Sequence, residues 1–238
     1  MSNVRASKPI ARDAIRCQVL TGRLLEIANS ARFGRPYRIA RLTDAITRIG
    51  VPQARRVLLA ACFGRVFASA PLRDLWEKSQ RIAGIAAAVA SAAHLDPDEA
   101  YVAGLLHDVG RLMFESGDAH SRVTVAGWLS GGFPLPYAEA LTYSMDHAGA
   151  GAELLRSWGL PDTIIDAVEN HHRPENSRSP MASLLFLAEQ WHAEKFGREG
   201  GQDLLQGMRT VHADRLTGIS AQDLIRADSE STLLVIAC

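Results

Sequence analysis

Pro71-Leu-Arg-Asp-Leu-Trp-Glu-Lys-Ser-Gln-Arg-Ile-Ala-Gly-Ile-Ala-Ala-Ala-Val89 is the stretch on which the fold class turns. Its apolar residues Trp76, Ile82, Ile85, Ala86 and Val89 recur at three- and four-residue spacing, the period of a helix with one apolar face. Pro71 suits a first helical turn. The alanines leave little side chain on that face, so neighbouring helices can approach closely, and this helix is expected to be central.

The same spacing recurs on both sides of it, and alternating strand patterns are scarce, which predicts an all-α protein. Upstream, a helix is expected from about Ile10 to Ala31, with Leu20, Leu24, Ile27 and Ala28 on one face, ending near Gly34 and Pro36. A short helix from Thr43, whose hydroxyl can cap it, to Gly50 follows. Pro52 then opens another through Val57, Leu58, Ala61, Cys62 and Val66.

Downstream, Asp96-Pro97 is a cap and first-turn pair for a helix from Asp98 to about Glu115, which carries His107-Asp108. After the Gly- and Pro-rich interruption Gly131 to Pro136, a helical region leads through Asp146-His147 to Trp158. Gly159 and Pro161 stop one helix and start the next, which ends at His171-His172 because Pro174 disfavours helical geometry at Arg173. Ser179-Pro180 opens a further helix through Leu184, Leu187 and Trp191. From Gly197 the chain is more polar, with two weaker helical segments and an apolar end, Leu233 to Ala237. Trp76, Trp128, Trp158 and Trp191 are expected to pack in the core or between lobes rather than to stack on bases.

The 238 residues are enough for one large domain or two small ones, and 47% hydrophobic with 22% charged residues is a globular composition. No run reaches the roughly 18 apolar residues that span a bilayer, and Met1 to Pro9 lacks a signal peptide's apolar core. A cytoplasmic protein without membrane contact is expected. Cys17, Cys62 and Cys238 are too scattered for a disulfide framework or a metal-binding pair. The formal charge is zero but unevenly spread: Met1 to Arg65 holds twelve arginines and one lysine against three acids, a net +10, and the rest carries −10. Such a basic segment could meet a phosphate-bearing ligand, an acidic partner or a second copy.

His107, Asp108, His147, His171, His172 and Glu189 are the residues that could converge on a divalent metal. Adjacent residues on a helix point about 100° apart, so His107 and Asp108 can share an ion only off the edge between them. There is no phosphate-cradling loop, nucleophile elbow or dinucleotide fingerprint.

Three ordered strings surround these residues: Ala103-Gly-Leu-Leu-His-Asp-Val-Gly110, Asp146-His-Ala-Gly-Ala-Gly-Ala-Glu-Leu-Leu-Arg-Ser-Trp-Gly-Leu-Pro161 and Glu169-Asn-His-His172. With Leu24-Leu-Glu-Ile-Ala-Asn-Ser-Ala31 and Leu75-Trp-Glu-Lys-Ser79, they resemble the HDOD family, the HD-related output domains of bacterial signalling proteins, over about Ile10 to Gly197. The resemblance implies an HD-like helical fold, akin to that of phosphohydrolases, with an N-terminal lobe at 10–70, an HD-like lobe at 71–197 and a helical extension at 198–238.

It also implies that Lys78 stands where catalytic relatives place a metal-binding histidine, and Glu189 where they place an aspartate. A protonated lysine has no lone pair to ligate with, and its charge repels a cation. Lys78 is expected to pair with Asp108 and hold the old ligand cluster together. No cofactor is expected beyond, at most, a single divalent metal in a vestigial site. The function expected is a non-catalytic regulatory module that binds a signalling protein or a phosphate-bearing small ligand through the basic lobe, with self-association as a further option and nucleic acid not expected. The competing expectation is a metal-dependent phosphohydrolase acting on nucleotides or cyclic dinucleotides.

Overall fold

The computed structural model describes residues 24, 27–29, 39–64, 70–115, 117–177, 179–197 and 206–231, with side chains of 58–64 and a few others outside that description. Among these residues there is no β-strand, and no helix is long and apolar enough to cross a membrane. The expected helix from Ile10 to Ala31 lies mostly outside the described residues, as do Cys17, Cys238, Val66, Leu233 to Ala237, and the Leu58, Ala61 and Cys62 side chains. The chain divides into two compact units, Met1–Ser69 with Ile236–Cys238, and Ala70–Val235.

In the first unit, Leu24, Ile27 and Ala28 are helical and buried. Asn29 clamps the backbone of Ile39, accepting from its N–H at 2.7 Å and donating to its carbonyl at 2.8 Å. Helix α1 (Leu42–Ile49) buries Leu42, Ala45, Ile46 and Ile49, one stripe of its surface. Its cap is Arg41, without a side-chain hydrogen bond, which corrects the expected Thr43 cap: Thr43 lies within the first turn, and its carbonyl accepts from the Thr47 hydroxyl. Gly50 ends the helix at φ 88°, a conformation glycine adopts without steric cost. Pro52 is the second residue of α2 (Val51–Gly64) rather than its first.

In the second unit, α3 (Ala70–Val89) is the central helix, with Trp76, Ile82, Ile85 and Ala86 fully buried. Its alanines admit α4 (Pro97–Leu106) so closely that a Cβ on Gly104 would lie 2.7 Å from the Ala83 Cα. Asp96 caps α4, its carboxylate accepting from the N–H groups of Asp98 (2.8 Å) and Glu99 (3.0 Å). The helix expected to run on to Glu115 stops at Leu106, and residues 107–110 form a turn before α5 (Arg111–Glu115). Tertiary packing causes the break. A Cβ on Gly110 would lie 2.1 Å from the His147 carbonyl and 2.5 Å from the Gly151 nitrogen, so the turn is pressed against backbone that cannot yield. Gly110→Ala is therefore expected to lower stability by about 1–3 kcal/mol, read as a lower denaturation midpoint at unchanged m-value.

Helix α6 (Ala119–Ser130), capped by Asp118, buries no residue, since its sequence has no apolar stripe to signal it. It packs on α7 (Leu135–Tyr143). Helix α8 (His147–Ser157) is capped by Asp146, whose carboxylate accepts from the Gly149 N–H at 2.9 Å. After Gly159 comes α9 (Asp162–Asn170), and after a short 3-10 turn comes α10 (Pro180–Phe196), buried continuously from Met181 to Glu189. Helix α11 (Gln206–Thr217) packs on α10, and α12 (Ala221–Ser231) on α3. Of the four tryptophans, Trp76 is fully buried and Trp191 partly buried, while Trp128 and Trp158 are 37% and 48% exposed, because α6 has little beyond α7 to pack on and Trp158 sits where α8 ends.

Candidate functional site

Five helices deliver the residues singled out in the sequence to one place. Lys78 comes from the middle of α3, His107 and Asp108 from the turn after α4, His147 from the first residue of α8, His171 and His172 from the turn after α9, and Glu189 from α10. His107, Asp108, His147 and His171 are essentially inaccessible to solvent, and Glu189 is 9% exposed. Candidate ligand atoms of Asp108, His147, His171 and His172 lie within 4.8 Å of one another, as do those of His107, Asp108 and Glu189.

The imidazoles are oriented by what their Nδ1 atoms meet. Nδ1 of His107 lies 2.7 Å from the Gly104 carbonyl and Nδ1 of His171 lies 2.6 Å from the Val168 carbonyl. A carbonyl only accepts, so each Nδ1 carries a proton, and the Nε2 of His171, neutral at its lowered pKa, presents a lone pair inward. The His171 Nε2 has no hydrogen-bond partner, whereas the His107 Nε2 lies 3.3 Å from Asp108 Oδ2. His147 is held by Glu139, a buried residue of α7 whose carboxylate accepts from the His147 backbone N–H at 3.0 Å and lies 2.5 Å from Nδ1. Nε2 of His147 lies 2.8 Å from Nε2 of His172, so one of these two nitrogens carries a proton.

Asp108 is the hub. Its Oδ1 lies 3.1 Å from His147 Nε2, close but out of line for a hydrogen bond, and its Oδ2 accepts from the Lys78 ammonium at 2.9 Å. The same ammonium donates to Glu189 Oε1 at 2.7 Å. Burial would raise the Asp108 carboxyl, but His107 and Lys78 hold it well below the usual carboxylate range. Glu189 behaves alike, with Lys78 outweighing burial. Burial would strip Lys78 of its proton, yet the two carboxylates raise its pKa and keep it an ammonium. Against burial, Glu139 and Asp108 push His147 up to about 10, so it is an imidazolium at neutral pH. Burial takes His171 down to about 4 and leaves His172 well below its ordinary value.

Two donor groups among the described residues are close enough to share a divalent ion. Asp108 Oδ1 with His147, His171 and His172 is a nitrogen-rich donor set for a single cation, and the unpartnered Nε2 of His171 is the kind of atom such an ion would engage. In the second group, His107, Asp108 and Glu189, the Lys78 ammonium lies between the two carboxylates. The expected Lys78–Asp108 ion pair is present, and Glu189 joins it. Glu139 was not anticipated: it lies eight residues before His147 across a turn at Ser144, and nothing in its local sequence marks it.

The family model of the HDOD domain matches residues 5–174. An uncharacterized protein of Treponema pallidum (strain Nichols) is 27% identical over 174 residues, 68% of this chain and 34% of that protein. Ribonuclease Y of Aquifex aeolicus (strain VF5) is 30% identical over 120 residues, 50% of this chain and 17% of the enzyme. The matched region thus spans about a third or less of these curated relatives. Among solved structures, an HDOD domain protein of unknown function from Geobacter sulfurreducens superposes with a TM-score of 0.78 at 22% identity, covering 95% of this chain and 86% of that one. A Shewanella amazonensis SB2B protein, provisionally named a phosphohydrolase, gives a TM-score of 0.73 at 24% identity, covering 95% and 87%. At these identities the likeness bears on the fold.

Proposed function

This chain belongs to the HDOD domain family, and from that premise we propose that it is a non-catalytic regulatory module, an output domain that works by binding a signalling protein or a small ligand. One observation carries the reading: Lys78 Nζ bridges Asp108 and Glu189 at 2.9 and 2.7 Å inside a buried cluster. A hydrolytic centre of two ions needs both carboxylates to face metal. Here they face an ammonium that their own charges keep protonated, and the cluster is neutralised from within. The basic segment Met1 to Arg65 is the part we assign to partner contact, in a cytoplasmic setting, because its +10 charge favours acidic or phosphate-bearing groups.

A single divalent ion, were it bound, would be held by Asp108, His147, His171 and His172 and would supply Lewis-acid polarisation and water activation. It would also have to displace the proton that Glu139 and Asp108 keep on His147. The inward Nε2 lone pair of His171 is the observation that favours the second reading, a metal-dependent phosphohydrolase.

Assay of the purified chain with nucleotides and cyclic dinucleotides in the presence of Mn²⁺ separates the two. No turnover above buffer is expected. Turnover that disappears in Asp108→Ala would establish the hydrolase reading instead.

A further inference from the structure

Building on the non-catalytic reading, we propose that the cavity outside the Lys78 cluster is a binding site for a small organic anion, with its charged head against Arg111 and Arg173 and its apolar body against Tyr137 and Phe196. The cavity measures about 750 Å³ and lies within the second unit, between α3, α7 and α10. That volume falls within the range that small-molecule sites occupy.

Charge selects the class of ligand. Lysine and arginine give the lining four cations, Lys78, Arg111, Arg173 and Arg209, against two acids, Asp74 and Glu189. Glu189 is already met by Lys78 at 2.7 Å, so a positive ligand would find Asp74 alone. Arg111 lies 4.0 Å from Asp108, and Arg173 and Arg209 meet Asp146 and Glu175 at 2.5 and 2.8 Å; none of these three carboxylates lines the cavity. Each pairing engages one edge of a guanidinium that carries five donors. The cap and first turn of α7, Pro134 to Tyr137, also line the cavity and add the partial positive charge of a helix start.

An apolar body is implied by the rest of the wall. Leu75, Phe186, Tyr137 and Phe196 contribute to it, and the last two are 46% and 50% exposed, an arrangement that leaves ring surface for a ligand to cover. Arg81 lies 4.7 Å from the Phe196 ring centroid and adds a further cation beside that ring. The floor includes His147, His172 and Lys78, outer members of the buried cluster, so an occupant would touch the network that joins α3, α8 and α10.

The test uses the full chain and calorimetric titration with phenyl phosphate and benzoate, and with phenol, inorganic phosphate and benzylamine as partial or opposite probes. At least one of the two aromatic anions is expected to bind roughly tenfold or more tighter than phenol, inorganic phosphate or benzylamine. The tighter of the two tells a phosphate head from a carboxylate head. Arg173→Gln, at a half-exposed position, and separately Arg111→Gln, should each weaken that anion by roughly tenfold, and Phe196→Ala should weaken it with the melting temperature retained. Benzylamine binding as tightly as the anions, no binding of either aromatic anion at millimolar concentration, or binding unchanged in both arginine variants would each overturn the site. Release of phenol from bound phenyl phosphate would overturn the non-catalytic reading while leaving the anion site standing.

Discussion

Lys78→Ala is expected to lower the unfolding free energy by about 3–5 kcal/mol, the cost of removing one partner from a buried ion pair. The substitution leaves Asp108 and Glu189, 1% and 9% exposed, with no cation between them. One of the two then takes up a proton rather than remain charged. The vacated position faces Asp108, Glu189 and the Nε2 of His107, which lie within 4.8 Å of one another. Divalent metal should therefore stabilise the alanine variant more than the parent chain, by about 2.7 kcal/mol at a hundredfold excess over the dissociation constant. Lys78→Met removes the charge but fills the space, and is expected to be destabilised without metal rescue. Thermal unfolding of the three chains with and without Mn²⁺ or Zn²⁺ reads all of this. Equal metal shifts in parent and alanine variant would refute the idea that the ammonium is a resident cation.

Stability is expected to peak close to pH 6.5 and fall on both sides. His147 has a folded pKa of about 10 against 6.5 unfolded. A raised pKa gives stability that is complete below 6.5 and is lost as pH rises towards 10, here about 4–5 kcal/mol. His171 runs the other way, at about 4 against 6.5. Its unfolded form binds the proton first, so about 3 kcal/mol is lost as pH falls from 6.5 to 4. His172 adds to the same acid limb, and the depressed Asp108 and Glu189 carboxyls extend it to lower pH. Denaturant midpoints from pH 4 to 10 give the profile. Glu139→Gln removes the charge that holds His147 up, so its alkaline limb should flatten while its acid limb persists. A parent profile that is level between pH 7 and 10 would show that His147 is not held as an imidazolium.

Much of this architecture was legible along the chain because its signals are short-range. Asp96-Pro97, Asp146 and Ser179-Pro180 mark helix starts through bonds to N–H groups two or three residues away. The break at residues 107–110 was not legible, since its cause is the backbone of α8 pressed against Gly110. Helix α6 escaped notice because it buries nothing, and the exposure of Trp128 and Trp158 because an aromatic residue does not itself reveal how many neighbours its helix has.

The site divides along the same line. Periodicity and caps, which act within about four residues, sufficed for an all-helical chain, and the strings around His107-Asp108, Asp146-His147 and His171-His172 marked the side chains that carry its chemistry. Folding supplied the rest: Glu139 beneath His147, the inward turn of each imidazole, and one ammonium between carboxylates 30 and 111 positions away from it in the chain. Coulomb energy and desolvation depend on distance through space and on the exclusion of water, and neither quantity exists until helices distant in sequence have packed together.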